Sequence, residues 1–459
     1  MKISIIGGGP AGITASYNIL RKSRDIKVYL IEKSNRLGGL AKSTTYGGKF
    51  TFDIGPKRFH SEDKTVLEFI GDIGKYIGMI RIGRSSKVLF KNRFLRWPLG
   101  RSDLFKLPID IAIRSVKDLL SRGKAFPQNV FKFKDYIINY YGGTLYEAFF
   151  RPYTEKFLHI SAEHIHRDWA SAGINRAIIR QERKDCSLAE LFSLFLFPFP
   201  AAADFLYPEK GGLGNFWDTC VNLMEGNKNL SIEKNTIVRR IARNKNGLLL
   251  MLSNGKVVES DYIFWSAKLP ELAQAIWDSE AHYYLPYIDT IFIDLVLDRG
   301  SVINKDAFCQ WLYTPSVKYK VSRISFPKAF NKNNIPAGYE GLCAEINIKE
   351  NERTPYPDAI IQSVIEELFD MGIFKRNARI LYSNVHREFA TYPVYHVKYK
   401  NEVSRLLEKI NIFSKHVIPI GRSGSFWYNN MDHAIKQALF LTDDLLNGRS
   451  PAFDHRKYF

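Results

Sequence analysis

Three glycines near the start of the chain, Gly7, Gly9 and Gly12, constrain its fold more than any other feature. They follow a short β-branched run (Ile3, Ile5, Ile6) and open a helical pattern from Ile13 to Arg21. In the spacing G-x-G-x-x-G the first glycine permits a tight turn and the second lets backbone approach a pyrophosphate. The third lets helix and strand pack closely. A helix starting there offers free N–H groups and a partial positive charge to phosphates, so Gly7, Gly9, Pro10, Ala11 and Gly12 are expected to hold one. A second apolar strand, Lys27 to Ile31, ends in Glu32, twenty residues past Gly12. A carboxylate there accepts hydrogen bonds from ribose hydroxyls, which disfavours NADP. A lone glycine-rich turn can be purely structural; strand, turn, helix, strand and acid in this order predict a dinucleotide site.

Lys33 comes next, and then Arg36, Gly38, Gly39 and Leu40. An arginine and a glycine pair directly after the second strand resemble the FAD signature of amine-oxidase and glutathione-reductase-like flavoproteins. That resemblance implies FAD rather than NAD, with these residues along the cofactor. A hairpin turn before Thr44 is the plainer alternative.

The 459 residues predict two or three domains, and 45% apolar with 25% charged residues suits a globular protein. The formal net charge of +19 is unusual. It is spread along the chain (Lys75, Arg81, Arg84, Lys87 and others) with no basic tail or nucleic-acid module, so nucleic acid is not expected. A phosphate-bearing substrate, a peripheral membrane contact and a homodimer stay open. Cys186, Cys220, Cys309 and Cys343 form no C-x-x-C pair, which argues against zinc and against a disulfide framework. His159, His164 and His166 lie close together without a completing cysteine or acid pair, so no metal site is expected. The chain begins directly with a strand, and its most apolar stretch, Leu191 to Leu206, is broken by Pro198, Pro200 and Asp204. It falls short of the roughly 20 residues that span a bilayer. The expectation is a cytoplasmic protein without a transmembrane segment.

Along the chain, a strand from Phe50 to Asp53 runs into the turn Gly55-Pro56-Lys57-Arg58-Phe59-His60, and Ser86 to Trp97 reads as a hairpin. Long amphipathic helices are expected after Ser102, among them Leu145 to Phe150. Short strands follow the turn Tyr207-Pro208 to Gly214, and Asp261 to Ala267 would return to the first sheet. Period-two patterning from about Ile288 to Phe389 surrounds a helix at Pro357 to Phe369. The predicted fold is α/β. It has a discontinuous FAD-binding, Rossmann-like domain of the glutathione-reductase type over 1–100, 208–285 and 410–459, a helical insertion over 101–207, and a mainly antiparallel sheet domain for substrate over 286–409.

Six scattered segments together resemble the UDP-galactopyranose mutase family, within the amine-oxidase and protoporphyrinogen-oxidase superfamily. They are Gly55 to His60, Leu145 to Phe150 with Tyr153-Thr154-Glu155-Lys156, Tyr207-Pro208 with Gly211-Gly212, Val321 to Ile324, Tyr392-Pro393-Val394, and Gly421-Arg422 with Tyr428 to Asp432. The resemblance implies that reduced FAD attacks the anomeric carbon of a nucleotide-diphosphate sugar through N5, and that the sugar recloses as a furanose without net redox change. An unidentified reductant would keep the flavin reduced, and the product would serve surface-glycan or related glycoside synthesis.

By the same resemblance Lys57, His60, Arg176 and Arg323 are the catalytic candidates, with Arg323 and Arg176 holding the diphosphate. Tyr153, Tyr207, Tyr392 and Tyr428 would line the substrate cleft. Gly421, Arg422, Asn430, Met431 and Asp432 would lie against the flavin and its pyrophosphate, and Val238 against the adenine. A surface ion pair for Arg323 and plain core packing for each tyrosine are the alternatives. Three positions depart from the mutase pattern, which has histidine at Lys57, tryptophan at Leu158 and an acid at Asn430; losing the tryptophan weakens the case for uridine. The competing function is an FAD-dependent oxidase or desaturase acting on a hydrophobic substrate, favoured by Phe192 to Phe199 and by the positive charge. A flavoprotein-like binding protein without turnover is the blandest reading.

Overall fold

The computed structural model describes residues 1–97, 106–121, 130–170, 204–245, 247–277, 283–298, 301 and 303–451. Arg176, Cys186 and the stretch from Phe192 to Phe199 lie outside them.

The first strand, Lys2–Ile6, is the middle of a five-stranded parallel sheet in the order Val417–Pro419, Tyr262–Trp265, Lys2–Ile6, Lys27–Ile31, Leu230–Glu233. A parallel strand is covered on both faces and reads as continuous apolar sequence. Ile3, Ile5, Val28, Leu30, Ile263 and Phe264 are accordingly buried. The segment read as returning to this sheet does so at Tyr262–Trp265. The helix Pro10–Lys22 covers one face and packs on the last long helix, Met431–Leu446. Asn18 Nδ2 fixes their register through Thr442 Oγ1 (2.8 Å) and Asp443 Oδ1 (2.7 Å).

A second, seven-stranded sheet runs in the order Ile380–Pro393, Tyr287–Asp298, Tyr339–Lys349, Arg323–Ser325, Trp311–Tyr313, Ser86–Phe90, Arg93–Arg96. Its pairings are antiparallel except for Trp311–Tyr313 against Ser86–Phe90. The expected hairpin therefore forms, but it extends this second sheet rather than the nucleotide sheet. The helix Pro357–Asp370 covers one face through Ile360, Val364 and Leu368. Three antiparallel strands, Val238–Asn244, Gly247–Leu252 and Val257–Ser260, form a separate flap beside the first sheet.

In the region read as a helical insertion, Ile109–Leu120 and Phe133–Tyr141 are helical. The stretch Leu145 to Phe150 departs from simple expectation, because Tyr146–Phe150 is a π-turn between Gly143–Leu145 and Arg151–Leu158. Such a turn inserts a residue and rotates the side chains that follow it. The Lys156 ammonium is then buried against the carbonyls of Thr314, Ser316, Tyr319 and Val321, clamping the loop that leads to Arg323. Among the described residues no helix is long and apolar enough to cross a membrane.

Gly12 sets how closely the first helix approaches its strand. A methyl group there would sit 2.0 Å from the Gly7 carbonyl oxygen, a backbone atom with nowhere to move. Gly12→Ala should therefore cost about 1–3 kcal/mol or more through overpacking. It should lower the denaturant midpoint of the protein. An unchanged midpoint would show that the helix can shift.

Candidate functional site

A cleft of about 1150 Å³ opens at the carboxyl ends of the parallel strands and continues over the seven-stranded sheet. In open α/β sheets ligands bind at those strand ends. Gly7, Gly9, Pro10, Ala11, Glu32, Lys33, Gly39 and Leu40 form one end, with Val238 from the flap. The helix starts at Pro10 without a side-chain cap, leaving its first N–H groups to an incoming anion. Glu32 accepts from Gly8 N (2.6 Å), Ser34 N (2.8 Å) and Ser34 Oγ (2.7 Å). A carboxylate has about four acceptor positions, so one remains for a ribose hydroxyl. Gly39 passes so close to Gly9 that a methyl group on it would lie 2.9 Å from the Gly9 Cα. These features fit a dinucleotide.

Other candidates support this end from behind. Gly12 packs under the turn, and Gly38 N donates to Gly8 O (2.7 Å). Arg36 turns away from the cleft to Ser43 O (2.6 Å) and Asp218 (2.7 Å). Ser266, which the sequence reading passed over, holds the glycine turn through Ile6 O (2.8 Å) and Gly7 O (3.2 Å).

The rest of the lining includes Lys57, Arg323, Tyr392, Arg422, Tyr428, Asn430 and Met431, whereas Gly421 lies back at the glycine turn, where a methyl group would meet Ala11 at 3.1 Å. Arg323 and Glu345 face each other on neighbouring strands and pair bidentately at 2.8 and 2.6 Å. The Glu345 side chain is 1% exposed, so this is a buried, neutralised pair. Arg323 also donates to Tyr392 Oη (3.2 Å). The turn at Gly55 crosses directly above, where a methyl group would meet Phe292 at 2.9 Å, and φ there is +63°. Arg422 lies over the rings of Tyr392 and Tyr428 while donating to Thr391 O (2.9 Å) and Asn429 O (2.6 Å). Burial pushes the Tyr428 hydroxyl up to about 12, so it stays protonated and able to donate.

The remaining candidates stand off the wall. Tyr207 is fully buried, and its hydroxyl donates to Asp53 (2.8 Å), which also accepts from Ser43 Oγ and Leu213 N. Tyr153 packs between Phe149 and Tyr313. His60 lies edge-on to Phe205, and Asp432 follows Asn430, whose side chain caps the last helix. Arg176 lies outside the described residues.

The wall holds residues that the sequence reading did not single out, chiefly Arg58, Arg84, Trp311, Tyr313 and Arg387. Eleven lysines and arginines line the cleft against three glutamates. Several of those cations are spent on protein acids: Arg323 on Glu345, Arg387 on Asp289 and Lys268 on Glu350. In sequence Arg84 is one charge of the diffuse basic excess, and nothing in a local pattern marks it as inward-facing.

Burial, with Arg422 and Arg323 nearby, pushes the Lys57 ammonium down to about 8 against the opposing pull of Glu345 and Asp53. Its proton affinity is thus lower folded than unfolded, where the ordinary value is 10.5. The native state is penalised while the charge persists, fully below pH 8, and the penalty fades as pH rises to 10.5. Lys57→Met should raise the unfolding midpoint of the flavin-free protein at pH 7, and the gap to the unsubstituted protein should close by pH 10.5. A variant less stable at pH 7 would contradict this.

Residues 5–73 match the model of an NAD(P)-binding Rossmann-like domain. A coproporphyrinogen III oxidase of Staphylococcus aureus (strain NCTC 8325 / PS 47) is 26% identical over 109 residues, 24% of this chain and 23% of that protein's length. Reduced UDP-galactopyranose mutase superposes with a TM-score of 0.82 at 19% identity, covering 100% of this chain and 97% of its own. A candidate protoporphyrinogen oxidase from Exiguobacterium sp. 255-15 reaches a TM-score of 0.77 at 17% identity, covering 98% of this chain and 99% of its own. From end to end, then, the chain has the mixed α/β fold of UDP-galactopyranose mutase and of that candidate protoporphyrinogen oxidase, and residues 5–73 supply its Rossmann-like part.

Proposed function

We propose that the protein is an FAD-dependent nucleotide-sugar mutase that interconverts pyranose and furanose forms with its flavin reduced. The observation that carries this reading is the continuity of the cleft. A dinucleotide-shaped half, Gly7 to Ala11 with Glu32, runs without a break into a half walled by Tyr392, Tyr428, Arg422 and Lys57. The full-length likeness to reduced UDP-galactopyranose mutase supports it. Bound FAD would supply an electron-rich N5 to the anomeric carbon of the sugar. The chain's own part is to hold and orient. The first helix takes the cofactor pyrophosphate on its free N–H groups, and Glu32 takes the ribose. The Lys57 ammonium would favour an anionic reduced flavin. Tyr392 and Tyr428, fixed from behind by Arg422, present rings and hydroxyls to the sugar and keep water from it. The reaction needs an external reductant once, to charge the flavin, and the furanose product would feed glycan assembly in the cytoplasm.

A second reading, an FAD-dependent oxidase or desaturase of a hydrophobic substrate, draws on the candidate protoporphyrinogen oxidase and on the stretch shared with coproporphyrinogen III oxidase. The cation-rich wall fits a phosphorylated substrate better.

The deciding experiment takes the purified holoprotein, reduces it anaerobically with dithionite, and offers UDP-, GDP-, CDP- and dTDP-sugars. A new isomer of equal mass, resolved by anion exchange and assigned by NMR, should form with reduced protein alone. If every sugar returns unchanged while an apolar substrate drives oxygen uptake by the oxidised protein, the oxidase reading replaces this one.

A further inference from the structure

We infer that Arg84, together with Arg58, forms the subsite that receives the oxyanion end of the substrate. This deepens the nucleotide-sugar reading and rests on it for the identity of that oxyanion as a diphosphate. Arg323, the arginine singled out from sequence, already has its charge neutralised by a buried carboxylate at bidentate distance. Arg84 has no carboxylate partner among the described residues; its only hydrogen bond there is a long one from Nε to Ser86 Oγ (3.3 Å). A guanidinium carries five donors in a planar fork suited to phosphate and carboxylate oxygens. Burial works against its charge, and a desolvated cation without a counter-ion is costly until an anion arrives.

The backbone around Arg84 is rigid. Gln310, itself buried, donates from Nε2 to Gly83 O (3.0 Å), accepts from Ser85 N at Oε1 (3.0 Å), and donates from its own N–H to Ser85 O (3.0 Å). Arg58 is fixed differently. Its guanidinium is layered on Phe205 (4.3 Å) and Trp311 (5.2 Å), and the next residue, Phe59, exchanges backbone hydrogen bonds with Leu206 at 3.0 Å. Both arginines line the cleft beside Trp311 and Tyr313, and the Tyr313 phenol lies within the electrostatic reach of Arg323, Arg84 and Arg58 at once. One guanidinium layered on two rings, a second carried on braced backbone, and a phenol in the reach of both make a receptor for a multiply charged oxyanion.

The test is calorimetric titration of the flavin-loaded full chain with UDP, pyrophosphate and a porphyrin tetracarboxylate, at low and high salt. Arg84→Ala should weaken UDP and pyrophosphate by at least about tenfold, with flavin content unchanged and the unfolding midpoint no lower, since the substitution removes a buried charge that has no counter-ion among the described residues. Arg84→Lys should fall between, and Arg323→Lys should lose less than Arg84→Ala. High salt should narrow the gap between unsubstituted and Arg84→Ala protein. Loss confined to the porphyrin would keep the subsite and remove the nucleotide-sugar reading. UDP binding that depends on Arg84, without isomerisation of any sugar, would likewise keep the subsite and sink the mutase. The inference is overturned if Arg84→Ala binds every probe within about twofold of the unsubstituted protein, if Arg323→Lys carries the larger loss, or if no probe binds.

Discussion

Arg422 ties the two walls of the cleft together. Arg422 follows the last strand of the parallel sheet, yet its guanidinium donates to Thr391 O on the longest strand of the second sheet and to Asn429 O ahead of the final helix. Tyr287 reinforces the join from the opposite side, donating to Ser423 O (2.7 Å) and accepting from Leu269 N (3.3 Å). Hydrogen bonds from a charged donor to buried carbonyls are worth more than neutral ones. Here they also set the distance between the glycine turn and the wall formed by Tyr392 and Tyr428. The join is apolar as well: Ile6, Ile31, Ile263 and Val417 of the first sheet share one core with Tyr287, Ile288 and Tyr392 of the second, and Arg422 adds the cation that the rings of Tyr392 and Tyr428 lie against.

Charge in the cleft is divided by the same logic. A buried ion pair such as Arg323 with Glu345 recovers its desolvation cost through close, bidentate geometry, and breaking one side is expensive. Such a pair suits a structural role: it fixes two strands and orients the Tyr392 hydroxyl. Arg387 with Asp289 repeats the arrangement at a bulge, where Asp289 also accepts from Ala390 N (2.8 Å) and Ala390 takes a left-handed φ of 52°. Cations without such partners, Arg84 and Lys57 among them, are the ones left to answer to a ligand.

What could be read in advance divides along sequence distance. The glycine turn, Glu32 and the Ser86 to Arg96 hairpin are local patterns whose physics is complete within about thirty residues, and they appear where expected, though the hairpin joins another sheet. The pairing of Arg323 with Glu345 depends on strand register, and the inward aim of Arg84 depends on Gln310, far along the chain. No periodicity announces either. Tyr207 shows the converse difficulty. A tyrosine within a family-like motif suggests a cleft residue, whereas its hydroxyl serves to satisfy the buried Asp53.

Family-like segments can thus mark the scaffold rather than the cleft. Tyr207 with Asp53, Lys156 with its four carbonyls and Gly55 over Phe292 all sit within such segments, and each holds one element against another behind the wall. Segments of this kind report first that the scaffold is the same, which the full-length superposition bears out. Of the three departures from the mutase pattern, lysine at Lys57 and asparagine at Asn430 lie on the cleft wall, whereas Leu158 is buried in the core. A scaffold held by buried polar latches leaves its cleft surface freer to vary than its interior. Ligand choice is therefore to be sought in cleft-facing charges such as Arg84 that lack a carboxylate partner among the described residues, and the fold in the charges that have one.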